Sequence, residues 1–339
     1  MEKDFKVLIL GKGRIGRAVL FYLKKLKTAK KVVVLGSEKE IKNCDLLISA
    51  LPGSAGEKGL KLALEYKKDL IDVSVLPIPF YMKFKNAILK KGIMVIPGCG
   101  FSPGLVNLII GAEAKKFQRI NKIEIEAGTL PQNSQFVFPF TWCFEDLIEE
   151  HLDESAVIKN GKKITLPAFF GYRKDELKEV GEFESYFFEE WTSLSYSFKV
   201  KDLVFRVIRP IGFLYFIQFL KSYGFFEKEN FAFTKKLLTA RQTDNVTLAK
   251  VSVFGISQKK KQEVLWKIFS FSKKKEILNS MQKITGIIPA VITNFINENK
   301  IQNKGILFME EIGKDDGLFR EILKELEKEK GLIVQKENS

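Results

Sequence analysis

Apolar residues run in short unbroken blocks through the N-terminal part of the chain and switch to alternation after Lys122. Phe5 to Leu10 (FKVLIL), Lys31 to Leu35 (KVVVL), Asp45 to Leu51 (DLLISAL), Leu70 to Val75 and Ile93 to Ile96 are too short for helices. Their continuous apolarity suits strands covered on both faces. The run after Gly16 (AVLFYLKKL), Lys58 to Lys68 and Tyr81 to Lys91 carry helical spacing between those strands, and the alternation predicts a parallel α/β sheet. Only Gly36 to Cys44 separates the second strand from the third. That stretch holds a turn or two of helix where an ordinary dinucleotide fold has a helix and a further strand, so the first half of the sheet reads as shortened.

Beyond Lys122, KIEIEAG alternates, as does Asn245 to Gly255 (NVTLAKVSVFG) before a lysine-bearing turn and the strand Glu263 to Ser270. This predicts a second, mixed α+β domain. Helices follow around Pro289 to Asn299 and over Gly317 to Lys330, the latter with Leu318, Phe319, Ile322, Leu323 and Leu326 on one face. The expected division is 1–117, 118–275 and a C-terminal helical segment, 276–339, returning to the first domain.

With 339 residues and 45% hydrophobic composition the chain readily supplies such cores. Cys44, Cys99 and Cys143 are widely spaced and form no C-x-x-C, which suggests neither a disulfide framework nor a metal site. The longest apolar candidate, Pro210 to Leu220 (PIGFLYFIQFL), is too short to span a bilayer, and a strand begins within a few residues of the N-terminus. A cytoplasmic protein without a membrane span is expected. The net charge of +15 comes from lysines scattered in short runs among glutamates. That pattern argues against a nucleic-acid surface and for a milder attraction of an anionic cofactor or substrate.

Two segments carry chemistry. Gly11-Lys12-Gly13-Arg14-Ile15-Gly16 spells G-x-G-x-x-G between the first strand and the first helix. There the first glycine makes the turn, the second lets backbone reach a pyrophosphate, and the third lets helix pack on strand. Val95 to Gly111 (VIPGCGFSPGLVNLIIG) joins a strand end to a helix start. Gly98 and Gly100 let backbone approach a ligand, Ser102 is the expected N-cap, Pro103 the first helical residue, and Asn107 lies one turn in. A tight turn without a ligand is the competing reading of this second segment. The strand ends at Gly11, Leu51-Pro52, Asp72-Val73-Ser74 and Gly98-Cys99-Gly100 converge where open α/β sheets bind ligands. His151, the one histidine, lies in an acid-rich helical run and reads as a helix-surface residue.

With these pieces in order, the chain resembles the saccharopine dehydrogenase-like oxidoreductases, nearest to their L-lysine 6-dehydrogenase and saccharopine reductase types. The resemblance rests on G-x-G-x-x-G, ISALPG, IDVS, GFSPGLVN, FTWCFEDLIEEHLDESAVIKNGK, EEWTSLSYSF, VIRPIGF and TGIIPAVITNFINENKIQNKGILFMEE. It implies a Rossmann-like domain holding NADP or NAD, an amino-acid substrate whose C–N bond exchanges a hydride with nicotinamide, and a homodimer. Cofactor contacts are then expected from Gly11, Gly13, Arg14, Ile15, Gly16, Ser37, Leu51, Pro52, Asp72 and Val73. Asn107, Thr192, Ser193 and Arg209 are the expected substrate contacts, with Arg209 as the cation for a carboxylate. Asp72 and Cys99 are the candidate catalytic residues. The chain departs from relatives where Gly36-Ser37 replaces an acidic residue after the second strand, Gly98 an acidic residue, and Phe213 a histidine. Alternatives are a carboxynorspermidine dehydrogenase-like polyamine enzyme and a non-catalytic nucleotide-binding relative.

Overall fold

The computed structural model describes residues 5–29, 31–34, 37–74, 76–132, 138, 143–152, 154–188, 193–241 and 243–337. It divides into two compact units. The first comprises Met1–Gln118, Trp191–Lys199 and Gln282–Lys330; the second comprises Arg119–Glu190, Val200–Met281 and Gly331–Ser339.

The first unit is built on β1 (Lys6–Leu10), β2 (Lys31–Val34), β3 (Leu46–Ser49), β4 (Asp69–Asp72) and β5 (Met94–Ile96). These lie in the order β2-β1-β3-β4-β5, all parallel, with Gly305–Ile306 added in parallel beside β5. Every residue of β3 and β5 is buried, as continuous apolar runs between helix layers must be. One face packs Leu8, Leu47, Leu70 and Val95 against Ile41, Leu60 and Ile88. β2 is the edge strand, and the link from it to β3 holds a helix of six residues. The shortened first half is therefore real.

The helices α1 (Arg14–Lys25), α2 (Glu38–Asn43), α3 (Gly53–Tyr66), α4 (Ile78–Lys83), α5 (Lys85–Lys91) and α6 (Leu105–Ala114) connect these strands. In α1, Ala18, Val19, Tyr22 and Leu23 form the buried stripe, and Lys24 and Lys25 oppose the dipole at its last turn. The start of α6 differs from expectation. Gly104, not Ser102, is the N-cap, and Leu105, not Pro103, is the first helical residue. Gly104 has φ +135°, and a Cβ there would lie 1.9 Å from the Gly100 carbonyl oxygen, so only glycine closes this turn.

The second unit holds a mixed sheet in the order Leu332–Lys336, Lys260–Ser272, Asn245–Ser257, Arg119–Pro131, Asp202–Arg209, Gly181–Phe187, Arg173–Leu177. Only the pair Arg119–Pro131 and Asp202–Arg209 is parallel along that path. The long hairpin turns through Gln258 and Lys259, both at positive φ, the conformation that matches strand twist in a two-residue turn. Helices Phe144–Leu152, Phe213–Ser222 and Lys228–Leu238 gather Phe138, Phe144, Phe213, Ile217 and Phe231 into an aromatic core. The apolar run Pro210 to Leu220 thus ends up largely in one of these core helices. Among the described residues no helix is long and apolar enough to cross a membrane.

Candidate functional site

The three glycines at the C-terminal end of β1 differ in what surrounds them. A Cβ on Gly11, at φ +122°, would lie 2.3 Å from the Ala50 carbonyl oxygen, and one on Gly16 would lie 2.0 Å from the Gly11 carbonyl oxygen. Both positions close the packing of turn, strand and helix. A Cβ on Gly13 would meet nothing within 4 Å. Open space therefore lies over Gly13, the N-cap of α1, which makes no side-chain cap, and the first turn of that helix carries no acid. Arg14, Ile15 and Gly16 occupy that turn. Helix-start amides and the positive end of the dipole stabilise an anion at such a place.

Leu51 and Pro52 follow β3, with Pro52 as N-cap of α3. The loops beyond the strands are tied together, Val73 N–H donating to the Ser49 carbonyl at 2.8 Å and Cys99 N–H to the Asp72 carbonyl at 2.9 Å. The Asp72 carboxylate is fully buried. It accepts from the Ser74 N–H at 2.8 Å, from the Ser74 hydroxyl, and from the Tyr81 hydroxyl at 2.9 Å, with Ser49 facing it as well. Burial pushes its pKa up to about 6, against the pull of those hydrogen bonds. Gly56 and Gly59 of α3 make the room, since a Cβ on either would lie within 2.8 Å of the Ser74 or Ser49 hydroxyl.

A small pocket opens beside these loops. Its polar side chains are Ser74, Asn107 and Ser193; Leu76, Ile78 and Met309 supply apolar wall, completed by Pro97, Gly98 and Pro103. Behind it sits a second buried carboxylate, Glu310, which accepts from the Ser193 hydroxyl at 2.8 Å, the Ser197 hydroxyl at 2.6 Å and Asn107 Nδ2 at 3.3 Å. Asn107 Nδ2 also donates to Ser193 Oγ at 3.2 Å, and Asn107 Oδ1 accepts from the Gly104 N–H at 3.1 Å. Burial raises the Glu310 pKa while the three donors work to lower it. Two glycines seat it. A Cβ on Gly111 would lie 2.0 Å from the Glu310 carbonyl oxygen, and one on Gly313 would lie 1.9 Å from that of Leu108, so the segment Met309–Gly313 lies directly against α6.

Within the second unit, Arg209 is 1% exposed. Its Nε donates to His151 Nε2 at 3.1 Å, its Nη1 donates to the Ile208 carbonyl at 2.9 Å, and its guanidinium lies 5.6 Å from the Phe213 ring centroid. His151 is buried too, with Nδ1 at 2.5 Å from the Leu147 carbonyl. Burial and the Arg209 charge hold its pKa well below the ordinary value, so the ring is neutral and accepts from Arg209.

The first unit thus brings Gly11, Gly13, Arg14, Ile15, Gly16, Leu51, Pro52, Asp72, Val73, Cys99, Asn107 and Ser193 onto the loops about its strand ends. Five expectations change. Cys99 is fully buried, and burial together with the Asp72 charge raises its thiol pKa, which disfavours both base and nucleophile. Asp72 spends its carboxylate on neighbouring side chains, so it braces the loop instead of facing a ligand. Ser37 is engaged in a capping box with Glu40, at 2.7 Å from the Ser37 N–H. Arg209, expected as the cation for a substrate carboxylate, is buried in the second unit against His151, and His151, expected on a helix surface, is buried as well. Thr192 and Gly36 lie outside the described residues. Sequence reasoning missed Ser49, Tyr81, Ser197 and Glu310; the G-x-x-G spacing of Gly56 and Gly59 was the available signal for Ser49.

A parallel sheet with a glycine turn feeding an uncapped helix, followed by a mixed-sheet unit, defines a chain of the dinucleotide-fold oxidoreductase class. The model of the saccharopine dehydrogenase C-terminal domain matches residues 100–332, and the chain belongs to the saccharopine dehydrogenase family. Among solved structures it is similar to apo saccharopine dehydrogenase (L-Glu forming) from Saccharomyces cerevisiae, with TM-score 0.77 and 15% identity over 98% of this chain and 99% of that one. It is also similar to homospermidine synthase from Legionella pneumophila in complex with NAD, with TM-score 0.65 and 13% identity over 98% of this chain and 92% of that one.

Proposed function

We propose that this chain is an NAD(P)-dependent oxidoreductase acting on the C–N bond of an amino acid, of the lysine 6-dehydrogenase or saccharopine dehydrogenase type. The carrying observation is the glycine turn. Gly11 and Gly16 are fixed by backbone packing, whereas Gly13 faces open space over an uncapped helix start, the arrangement a pyrophosphate needs. The residues present therefore fit a dinucleotide, which when bound supplies the hydride acceptor or donor. Amides of α1 hold the anionic bridge. Asp72 fixes Ser74 and Tyr81 beyond β4, and Leu76, Ile78 and Met309 keep water from the pocket wall. Ser74, Asn107 and Ser193 provide the polar contacts there.

NAD and NADP are expected to bind within about tenfold of each other. The carboxylate beside Ser37 belongs to Glu40 and is engaged by the Ser37 N–H and hydroxyl in the capping box, so it is not set to grip a ribose 2′-hydroxyl. Calorimetric titration with both dinucleotides measures this, and absorbance of reduced nicotinamide with lysine, saccharopine or carboxynorspermidine measures turnover. Absence of dinucleotide binding overturns the proposal. Binding without turnover in either direction favours the non-catalytic reading, which one feature supports: among the described residues lining the pocket, none has a titratable side chain.

A further inference from the structure

The polar wall of the pocket is more specific than its composition of two serines and an asparagine indicates. A serine hydroxyl has one hydrogen to give and two lone pairs. The Ser193 hydrogen goes to Glu310 and the Ser74 hydrogen goes to Asp72. Asn107 Nδ2 also donates inside the wall, toward Ser193 Oγ and Glu310. Neither carboxylate lines the pocket, yet each takes up the hydrogen of a serine that does. What the serines have left for a ligand is lone pairs. A carboxylate or phosphate oxygen placed against them meets acceptor on acceptor, with two buried acids behind.

We propose that this pocket selects a hydrogen-bond donor, an N–H of an amine or of a carboxamide, and rejects carboxylates. In this proposal Asp72 and Glu310 are the positioning residues that set its polarity through Ser74 and Ser193. The inference rests on the functional reading above for the source of the N–H, either the substrate amine or the nicotinamide carboxamide. Glu310→Met tests it. That change keeps the length of the side chain but removes the carboxylate that takes the Ser193 hydrogen, and with Asn107 Nδ2 still donating to Ser193 Oγ the hydroxyl is left to donate into the pocket.

The probes are 1,5-diaminopentane and glutarate, titrated into the protein alone and with ADP-ribose, and the pair NAD and its 3-acetylpyridine analogue, which lacks the carboxamide N–H. If the substrate amine is the donor, diaminopentane binds the native protein and weakens by about tenfold in Glu310→Met, while glutarate gains. If the carboxamide is the donor, NAD binds the native protein about tenfold more tightly than the analogue, and that preference collapses in the variant with ADP-ribose affinity unchanged. A merely structural role for Glu310 moves all ligands of a pair together, so equal changes within both pairs overturn the proposal, as does no change in either. Failure of ADP-ribose to bind the native protein rejects the dinucleotide reading instead, and the amine and glutarate titrations on the protein alone still decide the wall's polarity. Should Glu310→Met not fold, Ser193→Ala removes an acceptor with little change in volume. Unchanged discrimination within both pairs in that variant refutes the inference.

Discussion

Changing Gly13 and Gly16 to alanine adds the same methyl group three residues apart, and the structure demands opposite outcomes. At Gly16 the new Cβ falls 2.0 Å from the Gly11 carbonyl oxygen, a backbone atom that can yield only by moving the whole turn. Overpacking typically costs about 1–3 kcal/mol, and a rigid backbone partner places this case at the upper end. Better helix propensity returns at most about 1 kcal/mol, leaving a net loss of about 2 kcal/mol. In a chain of this size that lowers the melting midpoint by about 4 °C or more. At Gly13 the Cβ meets nothing within 4 Å and the backbone is extended, so stability stays within about 0.5 kcal/mol. The methyl instead occupies the space assigned to the pyrophosphate. Displacing a charge-assisted hydrogen bond there costs about 1.5–3 kcal/mol, or about tenfold to a hundredfold in affinity. Calorimetric melting and dinucleotide titration of both variants read the two effects separately. A folded Gly13→Ala protein that binds NAD and NADP as tightly as the native chain would refute the phosphate-turn assignment, and an unchanged melt for Gly16→Ala would refute the packing argument.

Asp72→Asn isolates the buried carboxyl. Its pKa is raised from 3.8 to about 6, so its contribution to stability is full below 3.8 and lost as pH rises through 6. The native-minus-variant stability difference should fall by about 3 kcal/mol across that interval, and a flat difference in pH-dependent melts rejects the burial argument. His151 has the opposite sign. Its pKa is depressed below 6.5, so its contribution is present above 6.5 and lost as pH falls through the folded-state value; His151→Gln, which still accepts from Arg209, should flatten that acid limb. Arg209→Ala should destabilise the fold by about 2 kcal/mol or more while leaving dinucleotide affinity unchanged, and lost affinity in a stably folded variant would return Arg209 to the ligand side. Cys99 should resist iodoacetamide until the protein unfolds, and Cys99→Ala should retain turnover; rapid native-state alkylation at Cys99 would contradict its burial.

The parallel sheet was legible because strands covered on both faces leave continuous apolar runs such as Val7–Leu10 and Leu46–Ser49. The shortened first half followed from counting nine residues between Gly36 and Cys44. The start of α6 was misread because Ser102-Pro103 matches the local rules for a helix start, whereas the positive φ and close approach at Gly104 depend on Gly100. His151 carried a usable signal: Phe144, Leu147, Ile148 and His151 fall at helical spacing on one face, but the acids between them drew the reading to the surface. Glu310 carried almost none. Its donors lie 113, 117 and 203 residues away in sequence, a separation that no local period encodes.

The chain passes between its two units five times, at 118/119, 190/191, 199/200, 281/282 and 330/331. Synthesis therefore delivers the components of the nucleotide-fold unit out of order. When residue 118 leaves the ribosome, five strands of the parallel sheet exist, but the strand Gly305–Ile306 that covers β5 and the carboxylate that caps Asn107 are still some two hundred residues from being made. A fragment cut at 118 would expose the edge of β5 and the largely apolar α6, the kind of surface that invites pairing with other chains. A stop codon between residue 118 and the Gly305–Ile306 strand should therefore yield an aggregating product, even though the glycine turn and β1 to β5 are already present.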